Sequence, residues 1–589
     1  MTEPIHREDP AELGVRWCLT LLDGLIAGGM RHLVLSPGSR STPVILAAQR
    51  RHELCLTPIL DERSAAFYAL GLSLASGQTV GLLATSGSAP AHWYPAVIEA
   101  AASGIPLVLI SADRPPELHG WGVNQTVDQT RLFGTHVREF HDPGPAVDLP
   151  SAFKALRRLG LRAAAVSRGA PPGPVHINLP LREPLVPSQA SEPAPEDVST
   201  PAHTDWLAGR IEATGLARPA PPALPPELRD RLHGRGLIYC GPQTPVVTFP
   251  AALWSCAAAL GVPVLADLLS GLRFGPVPAG GHRISRYKSV ARNPGAARAL
   301  RPDWVLRFGR APVSKTVLEW LAGVPSILVD PTSRWPDPTH DLALHLAADP
   351  TALCQALSAD PPARADPGWL GLWREAEQQI DRLVADYLGT APWSEAQLIV
   401  DLVSSLPEGD GLLCANSLPI RQLETWSGSR EGQLRLFGNR GASGIDGQTS
   451  TLAGLNAGGT PTTGLIGDLS FLHDLSGLLL ADRLDRPLIV LNNGGGRIFD
   501  YLPQAGLPDF ERLWRTPRPL DLAALVSPFG LRHHRVDDAP GWHEALARCL
   551  SECRGGRPGA LIEVMVDAPL SQGVHLEFRR LVAAQDLIG

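Results

Sequence analysis

Along the chain, short apolar runs that end in glycine, proline or aspartate alternate with Ala/Leu-rich stretches of helical character. Between residues 10 and 185 the runs HLVLSPGS, TVGLLATSGS, IPLVLISADRP and GPVHINLPL read as strands with helices between them. Such alternation predicts parallel βα units. The pattern then returns twice. GLIYCGP, VPVLADLL, DWVLRFGR and SILVDP carry it from about 206 to 355, and LLCANS, LRLFGN, TGLIGD, PLIVLNN and ALIEVMVD from about 369 onward. The proline-rich stretches VPSQASEPAPEDVSTPA, ARPAPPALPPEL and ADPPARADPG interrupt it as linkers and seams. The expectation is an α/β fold of three doubly wound parallel-sheet domains, at 1–187, 206–355 and 369–589. Length agrees, because a single hydrophobic core stops growing near about 250–300 residues.

Composition narrows the class without naming a function. A hydrophobic fraction of 44% and a mean hydropathy of +0.01 exclude general disorder. The net charge of −7 is mild for 589 residues and sets up no single-sign field, so neither nucleic acid nor an anionic membrane surface is an expected partner. Of the 52 basic residues only Lys154, Lys288 and Lys315 are lysines, which lowers the value of any single arginine as a clue. The eight cysteines include no CxxC pair, and Cys549 and Cys553 are spaced as core residues on one helix face. A reducing, cytoplasmic setting is expected. The start MTEPIHREDPAELG lacks the order of a signal peptide, and no apolar run reaches the length of a spanning helix.

The most informative stretch is GLIGDLSFLHDLSGLLLADRLDRPLIVLNNGGGRIF. One strand ends at Gly467-Asp468. Phe471, Leu472, Leu475, Leu478 and Leu479 follow at helical spacing, and a second strand runs into Asn492-Asn493. In a βαβ unit both strands end at one sheet edge, where ligands bind. The Asp468 carboxylate, the Asn493 amide oxygen and a glycine-loop carbonyl at Gly495 then converge as hard oxygen donors of the kind Mg²⁺ takes. A helix beginning near Ser470 would aim its first N–H groups at the same place, where a diphosphate fits. An aspartate at a strand end is by itself more often a helix cap. The ordered set in its βαβ context reverses that preference. A dinucleotide site fits less well, because no GxGxxG follows a first strand.

This set resembles the diphosphate-binding domain of the thiamine-diphosphate-dependent enzymes. The resemblance implies a glutamate in a different α/β domain, just after a strand, that hydrogen-bonds the cofactor's aminopyrimidine and favours the tautomer that removes the thiazolium C2 proton. LTPILDERSAAFYALGLSLASG offers Glu62 at such a junction; the competing reading makes Asp61 and Glu62 ordinary first-turn acids. HLVLSPGSRSTP, LDERSAAFYALGL, SADRPPEL with GVNQTVDQ, ANSLPIRQ, FGNRGASGIDG and GDLSFLHDL with NNGGGRIF occur in order across almost the whole chain. Together they closely resemble the 2-succinyl-5-enolpyruvyl-6-hydroxy-3-cyclohexene-1-carboxylate synthase (MenD) family of menaquinone biosynthesis. The likeness is strong at both ends and weak in the middle block.

The resemblance implies decarboxylation of 2-oxoglutarate on thiamine diphosphate held through Mg²⁺ (or Mn²⁺), then addition of the succinyl carbanion equivalent to isochorismate. It implies a homodimer or homotetramer with sites between subunits. Carried over by position, the cofactor residues are Glu62, Ser417, Gly444, Ile445, Gly467, Asp468, Leu469, Ser470, Asn493 and Ile498, with Asp468, Asn493 and Gly495 as metal ligands. Ile445 is the implied wedge that bends the cofactor. Two dicarboxylate substrates call for arginine forks. The implied pocket comprises Ser39, Arg40, Arg114, Asn124, Gln125, Lys315, Ser417, Arg421 and Arg440, with Ile498, Phe499 and Leu502 as an apolar wall. Some relatives follow the middle-block lysine with arginine, whereas Thr316 follows Lys315 here. Two alternatives stay open: another thiamine-diphosphate-dependent 2-oxoacid decarboxylase or carboligase, and a non-catalytic cofactor-binding partner subunit.

Overall fold

The computed structural model describes residues 9–188, 224–242, 248–312, 314–332, 334–362 and 365–588. Most of VPSQASEPAPEDVSTPA, the first part of ARPAPPALPPEL, the middle of ADPPARADPG and the expected start of the second block at 206 lie outside the described residues. Three six-stranded sheets form the framework, and every strand pairing is parallel. The first comprises His32–Leu35 (β1), Cys55–Pro58 (β2), Val80–Ala84 (β3), Leu107–Asp113 (β4), Phe140–His141 (β5) and Val175–Pro180 (β6). Gly236–Cys240 (β7), Val264–Ala266 (β8), Arg283–Ile284 (β9), Trp304–Phe308 (β10), Ser326–Val329 (β11) and Leu342–Leu346 (β12) make the second. The third is built from Gly411–Cys414 (β13), Arg435–Phe437 (β14), Thr462–Gly467 (β15), Leu488–Asn492 (β16), Arg532–Val536 (β17) and Ala560–Met565 (β18). With helices flanking each sheet, this is an α/β fold.

Strand order places the ligand crevices. The first sheet runs β2-β1-β3-β4-β6-β5, and the third, counted from its own first strand, repeats that order as β14-β13-β15-β16-β18-β17. The second runs β12-β11-β10-β7-β8-β9. Direction of winding reverses between β1 and β3, between β7 and β10, and between β13 and β15. Open α/β sheets bind ligands beyond the carboxyl ends of strands at such points. The motifs SPGSR after β1, ANS after β13 and GD after β15 all stand there.

The chain forms two compact units. One takes Met1–Arg218 with Asn439–Thr460 and Asp474–Arg483; the other takes Pro219–Gly438 with Pro461–His473 and Leu484–Gly589. The contiguous block 369–589 is thus divided between units. Within the first unit the cause is a helix pair. The helix Gln448–Ala457 is buried from Gln448 through Asn456, and it lies against the helix Glu62–Ser76. Glycines face backbone on both sides: a Cβ on Gly71 would collide with the Thr451 carbonyl, and one on Gly454 with the Tyr68 carbonyl. Alanines and glycines in LDERSAAFYALGL therefore serve close backbone approach as well as helix formation. The first sheet's core gathers Leu33, Val108, Ile110 and Ile177 against Trp17, Leu22 and Phe153.

Among the described residues no helix is long and apolar enough to cross a membrane. Among the described residues no disulfide links the eight cysteines, and Cys549 and Cys553 are buried on the helix Ala539–Arg554, as their spacing predicts.

Candidate active site

In the second unit, β15 ends at Gly467 and the chain turns at once into a six-residue helix, Asp468–His473. The helix starts two residues before the expected Ser470, and the Asp468 Oδ1 accepts the Leu469 N–H at 2.8 Å. It also stops sooner than the leucine spacing predicts. Buried Asp474 turns aside to accept the Ser450 N–H at 2.8 Å, and Leu475–Arg483 continues as 3₁₀ turns with non-helical backbone at Leu480. The Asp468 Oδ2 accepts the Gly495 N–H at 2.7 Å, so the glycine loop after β16 closes on this carboxylate. Burial pushes the Asp468 carboxyl up to about 6, against the opposing pull of the loop N–H groups. Beside it in the same loop, the Asn493 Oδ1 is buried with no hydrogen-bond partner among the described residues. An orphaned buried acceptor wants a donor or a cation. The Gly495 carbonyl accepts the Arg497 N–H at 2.8 Å and keeps a second lone pair.

Ser417 follows β13 at the neighbouring strand end. Its backbone sits at φ 73°, ψ −130°, a strained setting for a residue with a side chain. The helix Leu418–Trp426 starts there, and the Arg421 Nη1 donates back to the Ser417 carbonyl at 2.6 Å. Beneath Arg421, buried Lys288 pairs with Glu424 at 2.7 Å and donates to the Arg421 carbonyl and the Thr425 Oγ1. Ile498 and Phe499 lie half-buried on the turn Arg497–Tyr501, with Leu502 at its exposed end. Lys315 opens the helix Lys315–Leu321. Its side chain is 87% exposed and pairs with Glu319 one turn along, so it stands in solvent rather than in a pocket of this unit.

In the first unit the structure brings Arg40 and Arg114 together over one carboxylate. Arg40, 2% exposed, donates to the Leu181 carbonyl at 2.9 Å and to the Glu183 Oε1 at 2.8 Å. The Arg114 Nη1 lies 3.6 Å from the same oxygen. Both arginine Nε atoms are buried without a partner among the described residues. Ser39 is exposed beside them. Gln125, at φ 56°, exchanges hydrogen bonds with the Ser86 main chain and hydroxyl, while Asn124 next to it is exposed. Their loop is pinned by buried Gln129, which accepts the Gly87 N–H at 3.0 Å and donates to the Ala112 carbonyl and the Asn178 Oδ1.

Glu62 opens the helix Glu62–Ser76, and Asp61 caps it by accepting the Ser64 N–H at 3.0 Å. Glu62 itself has no hydrogen-bond or ion-pair partner among the described residues. Arg440, Gly444 and Ile445 lie half-buried around a turn held by Glu99. Sequence reasoning missed Glu99, Gln129, Glu183 and Lys288. The scarcity of lysine was a signal for Lys288, and a lone acid in the apolar helix YPAVIEAAAS was one for Glu99.

Comparison with known proteins extends these observations over the chain. Residues 20–132 match the N-terminal TPP-binding domain of thiamine pyrophosphate enzymes, and 217–414 match the thiamine pyrophosphate middle domain. A protein of Roseiflexus sp. (strain RS-1) is 37% identical, covering 97% of this chain and 99% of its own length. One from Dechloromonas aromatica (strain RCB) is 41% identical over 90% of this chain and 96% of its own. A Haloarcula marismortui protein is 38% identical over 96% and 98%. All three bear the name 2-succinyl-5-enolpyruvyl-6-hydroxy-3-cyclohexene-1-carboxylate synthase. At that identity and coverage, with the strand-end motifs in the same sheets, this chain belongs to the 2-succinyl-5-enolpyruvyl-6-hydroxy-3-cyclohexene-1-carboxylate synthase family of thiamine-diphosphate-dependent enzymes.

Proposed function

We propose that the protein decarboxylates 2-oxoglutarate and joins the remaining four-carbon unit to isochorismate, giving 2-succinyl-5-enolpyruvyl-6-hydroxy-3-cyclohexene-1-carboxylate for menaquinone biosynthesis in the cytoplasm. The observation that carries the reading is the unpartnered, buried Asn493 Oδ1 in the loop that closes on Asp468. One carboxylate, one amide oxygen and one carbonyl suit a hard dication that also binds phosphate. Among the described residues no cluster of three His, Cys, Asp or Glu side chains competes as a metal site. Asp468, Asn493 and the Gly495 carbonyl would hold Mg²⁺ or Mn²⁺, and Gly467, Leu469 and Ser470 would line the diphosphate. Bound thiamine diphosphate supplies the electron sink for loss of CO₂.

The chain's own groups do the rest. Glu62, with its carboxylate unspent, would hydrogen-bond the aminopyrimidine ring of the bound cofactor. Ile445 and Ile498, with Ser417 and Gly444, shape the cofactor's surroundings. Arg440, Arg421 and Ser417 hold the carboxylates derived from 2-oxoglutarate. Ser39, Arg40, Arg114, Asn124 and Gln125 receive isochorismate, with Lys315 as an outer cation, and Phe499 and Leu502 exclude water. The three sheets support three domains. Glu62 and the metal ligands fall in different units, and a homodimer or homotetramer with sites completed between subunits is the proposed assembly.

The test is CO₂ release from 2-oxoglutarate, measured with and without isochorismate, together with product analysis. Release that depends on 2-oxoglutarate and yields the named adduct on adding isochorismate supports the reading. Release with a different preferred acceptor points to another carboligase. Cofactor binding without any release points to a non-catalytic subunit.

A further inference from the structure

We infer that Glu99 is a positioning residue for the site, acting through the turn Gly441–Ser443 on Arg440 and Ile445; the inference rests on the function proposed above. Glu99 lies on the helix Tyr94–Ser103 and is 3% exposed. Its carboxylate accepts three successive backbone N–H groups: Gly441 at 2.7 Å, Ala442 at 2.7 Å and Ser443 at 3.3 Å. The Ser103 Oγ adds a fourth donor at 2.5 Å. No cation pairs with Glu99 among the described residues. The charge is taken up by main-chain dipoles gathered into a concave anion nest, and such charge-assisted bonds are about twice as strong as neutral ones.

That geometry fixes the backbone on which two predicted site residues stand. Arg440 immediately precedes the turn, and Ile445 follows it after Gly444 alone. Ser443 is held at φ 64°, a conformation the chain adopts only when its surroundings impose it. Gly441 seals the contact from the other side. A Cβ there would stand 2.6 Å from the Ser103 Oγ, 2.8 Å from the Ala102 Cβ and 2.9 Å from the Glu99 carbonyl. Glu99 is not needed merely to attach this segment, because the Gln448–Ala457 helix already packs on Glu62–Ser76 through Gly71 and Gly454. What the carboxylate adds is the shape of the turn. The directions in which Arg440 and Ile445 leave the backbone follow from it.

The test uses Glu99→Gln, with Ser103→Ala as a milder variant that keeps the carboxylate. Hydrogen exchange on the cofactor-free protein should show faster exchange at 441–443 in Glu99→Gln, with 448–457 unchanged. In the holoenzyme, loss of charge-assisted bonds should raise the KM for 2-oxoglutarate about tenfold, while the KM for isochorismate stays within about twofold. Ser103→Ala should show the same split with a smaller amplitude. In an Arg440→Ala background, Glu99→Gln should add little, because residues acting as one unit are not additive. Slow exchange at the turn in Glu99→Gln overturns the inference. So does a double variant whose KM rise is the product of the two single effects. An Arg440→Ala enzyme with an unchanged 2-oxoglutarate KM removes the site assignment and this inference with it; the two failures are told apart because exchange at the turn then still responds to Glu99.

Discussion

At the scale of single residues, Asp61 and Glu62 show how structure separates two adjacent acids that the sequence leaves equivalent. Asp61 spends its carboxylate on the Ser64 N–H, and Glu62 spends its own on nothing described. Replacing Glu62 by Gln should slow C2 proton exchange of bound cofactor by at least about tenfold, with metal and diphosphate affinity nearly intact. Unchanged exchange would remove Glu62 from the chemistry. The family resemblance selects Lys315, yet the lysine that the fold buries is Lys288, paired with Glu424. His176 is a third case, silent in sequence. Its ring is fully buried between Phe133 and Phe140, and the Nε2 pairs with the Ser111 Oγ at 2.8 Å. Burial pushes its pKa down to about 3. The unfolded chain therefore binds this proton more readily below the ordinary value of about 6.5. The stability tied to neutral His176 is complete above that value and drains as pH falls toward about 3, at about 1.4 kcal/mol per pH unit. Thermal melts at pH 7.5 and 5 should show a larger drop in Tm for the native protein than for His176→Gln. Equal drops would discard the assignment.

At the scale of elements, the sequence reads every interior strand, and the strands it loses all stand at sheet edges. Apolar runs identify the interior strands β1, β3, β4, β6, β7, β8, β10, β11, β13, β15, β16 and β18, together with the edge strands β2 and β14. The strands that escape are β5, β9, β12 and β17, and each stands at a sheet edge. Two-residue β5 and β9 are too short for any period. In β17, RHHRV, the charges belong where one side of a strand meets solvent. The site follows the same logic. Its oxygen donors and strand-end arginines sit in local motifs and are legible, whereas Glu99 meets Gly441 across 342 positions and no spacing announces it. The helix Leu418–Trp426 depends on such a hidden partner, since Lys288 ties Glu424, Thr425 and the Arg421 carbonyl together. Removing one member of a buried pair is costly, about 3 kcal/mol or more, while replacing both with apolar groups is far milder. Lys288→Met should lower the Tm, and adding Glu424→Leu should restore much of it. A double variant less stable than Lys288→Met would show that the pair is not what holds this helix.

At the scale of the whole molecule, the first and third sheets share one strand order, and each puts part of the candidate chemistry at its switch point. Glu62 belongs to one compact unit, and Asp468, Asn493 and Gly495 to the other. If each cofactor is completed across a subunit boundary, two inactive variants must rescue one another. Glu62→Gln leaves the metal site intact, and Asp468→Ala leaves the glutamate intact. In a hybrid dimer, one site then draws a native Glu62 from the Asp468→Ala chain and a native Asp468 from the Glu62→Gln chain, while the other site carries both lesions. Random pairing of equal amounts makes half the dimers hybrid with one good site in two, so activity should return to about a quarter of the native level. Coexpression with two different affinity tags isolates the hybrids, in which the return should be about one half. Sites built within one chain give the opposite result. Every site in the hybrid then carries one lesion, and purified hybrids should be no more active than the parents. The same preparation, sized in solution, separates dimer from tetramer, because complementation needs only the two-chain contact and is indifferent to a further doubling.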